Sequence, residues 1–320
     1  MRVPAGATPL LARRLLFVTG KGGVGKTTVA SALAVLAASR GANTLLCEID
    51  AKGDLAEVLE CGPLAFDPRE VLPRLHVMAM DTEASLREYL RLHLRVPLVA
   101  RLGPLARTFD FVADAAPGVK EILTVGKLAW EVRERHYDLV VVDSAATGHV
   151  IGQLASPAAI REVVRVGLVR QQVDWILQLL EDPATTGAVV VTTPEEMPVV
   201  ETIELAERLD RETNVALAGI VVNQVLPELF GRREEALFDR LRTPAARAKL
   251  AEAVGPGADA VLDGAALAVA RRRMRAEHLE RLRAGVPSDV PLYLLPYVFT
   301  RQHGRRATRQ LAEALGDELE

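Results

Sequence analysis

Cysteine is nearly missing: Cys47 and Cys61 are the only two in 320 residues. So sparse and distant a pair builds neither a disulfide framework nor a C-x-x-C metal hook, and a reducing cytoplasm is the expected setting. Lysine is also scarce, six among 39 basic residues. The arginine excess reads as genomic base composition rather than as a binding device. A net charge of −3 and a pI near 6.1 argue against a nucleic-acid coat or a polybasic membrane anchor. No stretch reaches the roughly 18 uncharged apolar residues that a membrane span requires. Residues 1–14 lack the ordering of a secretory signal, and cleavage there would destroy the glycine-rich stretch that follows. What is plentiful is apolar: 49% of the residues, enough for a large core, in a length that alone would suggest about two domains.

Two of the six lysines sit in Gly20-Lys21-Gly22-Gly23-Val24-Gly25-Lys26-Thr27-Thr28. An apolar run precedes this stretch and a long small-residue segment, residues 29–39, follows it. Strand, glycine loop, helix is the context that a phosphate-binding loop needs. The glycines let successive N–H groups turn toward phosphate oxygens, Lys26 reaches the β- and γ-phosphates, and the Thr27 hydroxyl ligates Mg²⁺. Lys21 stands where most phosphate loops carry no charge. Its side chain can project toward a facing subunit.

Apolar, β-branched runs at residues 15–19, 44–49, 75–80, 139–142, 188–192, 218–222 and 292–295 alternate with helical stretches. Several are apolar at consecutive positions, which suits strands covered on both faces. The expected fold is α/β: a doubly wound, mostly parallel sheet of about seven strands flanked by helices, of the P-loop NTPase type, with a helical subdomain. One domain, 1–320, is expected to carry helical insertions at about 83–135 and 156–181 and a mostly helical excursion at about 228–285. Ligands collect at the carboxyl ends of such strands, so the residues just after each run are informative. Asp50 follows the second run and can position water or engage Mg²⁺ through its shell; capping a turn is the alternative. Asp54 suits an N-cap for residues 55–60. Asp143 closes the fourth run in the manner of a Walker B acid that meets Mg²⁺ through water. Gly148 lets backbone approach the γ-phosphate, and His149 is either a turn histidine or part of a switch. Asn223 offers donor and acceptor to a base edge, and Pro296, Tyr297 and Val298 form a stiff loop to cover it. Arg271-Arg272-Arg273 and Arg275 are offset by Glu277 and Glu280, giving a solvated helix face.

The loop at Gly20, D-S-A-A-T-G-H from Asp143, V-T-T-P-E-E from Val191 with E-T at Glu201, and V-V-N-Q from Val221 recur in an order that resembles the ATPases of the arsenite pump and of tail-anchored-protein targeting. The likeness runs over residues 15–299 and points to a bacterial branch with the deviant Walker A loop. It implies an Mg²⁺-dependent ATPase whose ATP cycle switches a dimer between open and closed states to drive transport, targeting or a partner protein. Lys21 would then cross to the partner's phosphates, Asp50 would align or deprotonate the attacking water, and Asn223 would read adenine. The implied partners are a second copy, or a related ATPase subunit, and a membrane-protein or hydrophobic client held between the inserted helices, though ordinary packing also explains those helices. Nucleic acid is not among them. The chain departs from the family at Ala51-Lys52-Gly53, where a proline is lost and a lysine gained, and at Ser144 and Ala146. Lys52 has two readings, phosphate contact or solvated charge. The family's arsenite cysteines and zinc-bridging C-x-x-C have no counterpart. Three rivals remain: a nucleotide-locked binding subunit with little turnover, a positioning ATPase of the partitioning kind, and a reductase bridging an iron–sulfur cluster between subunits, which would need two suitably placed cysteines per chain.

Overall fold

A computed structural model describes residues 8–50, 53–94, 118–144, 147–255, 257–300 and 304–320. Eight strands form one sheet: β1 (Leu15–Gly20), β2 (Thr44–Glu48), β3 (Arg69–Leu72), β4 (Leu75–Ala79), β5 (Leu139–Asp143), β6 (Thr186–Thr192), β7 (Leu217–Val225) and β8 (Leu292–Pro296). Their order is β3-β4-β2-β5-β1-β6-β7-β8. Every pairing is parallel except β3 with β4. The short antiparallel edge strand β3 is the addition to the expected seven. Its residues Arg69-Glu70-Val71-Leu72 are half-exposed and carry two charges, so no apolar run announces it.

Consecutive apolar residues put alternate side chains on opposite faces. Leu15 and Phe17 of β1 point into one apolar cluster, and Leu16 and Val18 into the other. Helices α1 (Lys26–Ser39), α2 (Asp54–Val58) and α11 (Arg305–Glu318) cover the second face. The first face is covered by α4 (Val119–Arg133), α5 (Thr147–Val163), α6 (Leu168–Glu181) and α7 (Glu196–Glu212). Both faces are therefore sealed, and β1, flanked by β5 and β6, lies in the middle of the sheet with all six residues buried. Helix α1 is apolar nearly all round, as a helix sandwiched between sheet and α11 must be.

The remaining helices are α3 (Thr82–Leu94), α8 (Arg232–Leu241), α9 (Pro244–Val254) and α10 (Ala258–Gly285). Of the helical insertion expected at about 83–135, the described residues hold α3 and α4, and 95–117 lie outside them. The stretch 156–181 is two helices rather than one. Gly167, at φ 96°, adopts a conformation that favours glycine and caps the start of α6. Within the mostly helical excursion, Gly255, at φ 98°, separates α9 from α10; Pro256 lies outside the described residues. No helix among the described residues is long and apolar enough to cross a membrane.

The arginines of α10 lie at the surface as expected, and three of them are offset by acids of other segments rather than by Glu277 and Glu280. Arg272 pairs with Glu228, Arg273 with Glu235 at 3.2 Å, and Arg275 with Glu195 at 2.9 Å. These tie α10 to the segment after β7, to α8 and to the start of α7, through acids remote in the sequence.

Candidate functional site

The glycine loop joins the carboxyl end of β1 to the start of α1, and its glycines answer to different neighbours. A Cβ on Gly20 would lie 2.1 Å from the Val191 carbonyl oxygen, so this glycine serves the close approach of β1 to β6. Gly23 and Gly25 sit at φ 86° and 91°, the left-handed region. A Cβ on Gly25 would also fall 2.4 Å from the Asn223 amide nitrogen. Val24 is buried and anchors the loop, while Gly22 and Gly23 face outward. Helix α1 opens at Lys26 with no side-chain cap and no acid in its first turn. Its first amides and the positive end of its dipole thus stay available to an anion. The Lys26 ammonium donates to the Lys21 carbonyl oxygen at 3.2 Å, which holds it over the loop. Thr27 and Thr28 follow in the same half-buried turn.

Asp143 ends β5 beside this loop and is buried. The Thr27 hydroxyl lies near enough to its carboxylate to favour the charged form. Its Oδ1 is buried without a hydrogen-bond partner among the described residues. Burial pushes the Asp143 carboxyl up to about 6, against the opposing Thr27 hydroxyl and the Lys26 charge. A buried carboxylate oxygen with nothing on it, next to a threonine hydroxyl, fits the shell of a hard, oxygen-seeking cation. The geometry carries a stability consequence. A folded pKa raised above the ordinary 3.8 favours the neutral acid, so that contribution is full below 3.8 and is lost as pH rises through about 6. Asp143→Asn, with chelator and no nucleotide, should therefore melt about 2–4 °C above wild type at pH 7.5, with the gap narrowing as pH falls toward 4. A gap that ignores pH would show that Asp143 is not the strained group.

One acid escaped the sequence reading. Glu48 ends β2 directly opposite Asp143 in the β2–β5 register, and it is buried. Its Oε1 accepts from the backbone amides of Asp54 and Leu55 at 3.0 and 3.4 Å. Burial raises its pKa and these amides oppose the rise. Glu48, not Asp54, supplies the acceptor at the start of α2; Asp54 is that helix's first residue, with Gly53 at the cap position. A charged residue inside the run Leu45-Leu46-Cys47-Glu48-Ile49 was the available signal. Asp50 lies two residues beyond β2 and is exposed. Ala51, Lys52, Ala145 and Ala146 lie outside the described residues, as does the Thr147 side chain. Gly148 and His149 are exposed in the first turn of α5.

Lys21 does not extend freely from the loop: its ammonium meets Glu201 Oε1 of α7 at 2.6 Å. Asn223 is buried and spans two backbone groups. Its Nδ2 donates to the Val24 carbonyl oxygen at 2.9 Å, and its Oδ1 accepts from the Gln224 amide. The side chain expected to read a base thus also clamps the glycine loop. One amide hydrogen and one lone pair remain beyond these two bonds. Close by, Pro296 ends β8 beside Val225, and the Tyr297 amide donates to Val225. Tyr297 and Phe299 form an exposed aromatic pair with centroids 4.7 Å apart, and Val298 packs on the core.

Away from the loop, α3, α4, α5 and α6 leave a cavity of about 570 Å³ instead of closing on one another. Its walls include Tyr89, Ile122, Trp130, Ile160, Val173 and Trp175. Lys127 at its edge bonds Glu88 and Glu131, each at 2.6 Å. Of the cysteines, Cys47 is buried within β2, where burial pushes its thiol pKa up, and Cys61 is half-buried. No cluster of three metal-binding side chains occurs among the described residues.

The family model described as anion-transporting ATPase matches residues 13–176 and 166–242. ATPase BagA of Mycobacterium tuberculosis is 30% identical over 225 residues, covering 67% of this chain and 66% of that protein. An ATPase ASNA1 homolog of Entamoeba dispar is 25% identical over 251 residues, 66% of this chain and 76% of the other. The matched region thus spans just under two thirds of the length of BagA.

Proposed function

Because this chain belongs to the anion-transporting ATPase family, we propose that it is an Mg²⁺-dependent ATPase whose ATP cycle opens and closes a dimer. The observation that carries the reading is the convergence of Gly25, Lys26, Thr27 and Asp143 where β1 and β5 end. The loop amides from Gly20 to Thr28 and the Lys26 ammonium hold the β- and γ-phosphates. Thr27, Asp143 and Asp50 are the residues that would hold Mg²⁺ beside the phosphates. When bound, that ion neutralises charge on the phosphate oxygens. Asp50, exposed at the rim, aligns or deprotonates the attacking water, and Gly148 lets backbone close on the γ-phosphate. Asn223 holds the loop and reads adenine with its remaining donor and acceptor, under the cover of Pro296, Tyr297 and Val298. Lys21 completes the phosphate shell of a facing subunit. There is little covalent chemistry for the protein to do; positioning and charge stabilisation dominate phosphoryl transfer.

The dimer is formed with a second copy or a related ATPase subunit, and its cycle drives transport, targeting or a partner protein. The cavity among α3 to α6 suits an apolar segment of a membrane-protein or other hydrophobic client, since aliphatic and aromatic walls make up nearly all of it. A multiple-turnover phosphate-release assay tests the enzymatic core of this reading. Repeated turnover with Mg²⁺, stopped by chelator, is the expected result. A single equivalent of ADP formed and retained would mark a nucleotide-locked subunit instead.

A further inference from the structure

The contact between Lys21 and Glu201 joins residues from two crossovers. Lys21 opens the loop after β1; Glu201 lies in the second turn of α7, which follows β6, the strand beside β1. The ammonium and Oε1 are 2.6 Å apart, and both side chains are 30% exposed. The pair therefore lies at the protein surface, half-shielded, and not inside the phosphate cradle. The two loop lysines are separated by function: Lys26 bonds the loop's own Lys21 carbonyl, while the Lys21 ammonium is drawn off to another element. One turn before Glu201 on the same face of α7, Met197 is 60% exposed. A cation held at a surface beside an unburied apolar side chain is placed to be covered by another protein.

We propose that Glu201 is a positioning residue for Lys21, holding its ammonium out of its own subunit's phosphate cradle until a facing subunit's triphosphate replaces the carboxylate. The proposal rests on the dimeric ATPase reading above. In the exchange Lys21 gives up one carboxylate oxygen and gains phosphate oxygens across the interface. Glu201 loses its partner as the surface around Met197 is covered. Each chain breaks one such pair, so a symmetric dimer breaks two. A half-exposed ion pair opposes release weakly, by about two- to fivefold per site. Glu201 thereby sets how much triphosphate is needed before two chains close, and discourages closure on a ligand too poor in charge to outbid a carboxylate.

The test is self-association of the full chain with ATPγS and Mg²⁺, followed by analytical ultracentrifugation. Glu201→Gln should lower the dimer dissociation constant about five- to twentyfold. Fluorescent ATP analogue binding to dilute, monomeric protein should stay as in wild type, and Glu201→Asp should fall between. In the Lys21→Ala background the Glu201→Gln change should shift nothing. An unchanged or weakened dimer in Glu201→Gln overturns the proposal, and so does an equal gain without Lys21, which would make Glu201 a general surface repulsion. If Lys21→Ala loses the dimer while Glu201→Gln leaves it unchanged, only the proposal fails. If Lys21→Ala dimerises like wild type, the reading of Lys21 itself fails with it.

Discussion

Lys26→Ala is expected to lower ATP turnover about a hundred- to a thousandfold and to weaken ATP binding at least about tenfold. The lysine is the only side-chain cation at the start of α1, and its ammonium donates to the Lys21 carbonyl, over the loop that the proposed function assigns to the β- and γ-phosphates. Removing it leaves the loop amides and the helix dipole, which bind phosphate but do not follow the charge that develops on the leaving oxygens. The fold itself should tolerate the change. Lys26 is half-buried, and the loop is held by Val24 in the core and by Asn223 on the Val24 carbonyl. Isothermal titration with ATP, phosphate release and a thermal melt check the three parts together. Equal nucleotide affinity in the two proteins would refute the loop assignment.

Lys21→Ala should give the opposite split. ATP binding to the single chain should stay within about threefold, because the ammonium faces Glu201 rather than the phosphate cradle proposed for its own chain. Turnover should fall about a thousandfold, the scale on which a charge supplied in trans acts on phosphoryl transfer. ATP-dependent dimers should dissociate at concentrations where wild-type dimers persist. Loss of a surface pair changes the melting temperature by no more than about 1–2 °C, so unfolding cannot imitate this pattern. Unchanged turnover would defeat the trans role of Lys21 specifically.

The sheet was largely legible because a parallel strand covered on both faces leaves a consecutive apolar run, and Leu15, Leu45, Leu139 and Val189 each lie in one. The arrangement of the candidate site was legible for a related reason: in this topology the residues just past those runs gather at one edge, which brings Asp143 near Thr27. What stayed hidden depends on distance in the chain. Lys21 and Glu201 are 180 positions apart, and Asn223 and Val24 are 199 apart. No local pattern records such pairings. Glu48 was passed over because its strand reads as apolar without it, and its role at α2 emerges only when the chain turns back over β2. The break at Gly167 was masked by Val164, Val166 and Val169, which continue an apolar helical pattern across it. At Val164 and Val166 the local preference conflicts with the non-helical backbone actually adopted, and the glycine decides.

The central claim is that two lysines from different chains act on one triphosphate. Mixing Lys21→Ala and Lys26→Ala chains and measuring phosphate release tests it most directly. Each variant alone lacks one of the two charges at every site. In a mixed dimer the Lys21→Ala chain keeps Lys26 and receives Lys21 from its neighbour, so one intact site returns. At equal concentrations turnover should recover to about a quarter of wild type. A mixture no more active than either variant alone would contradict the account.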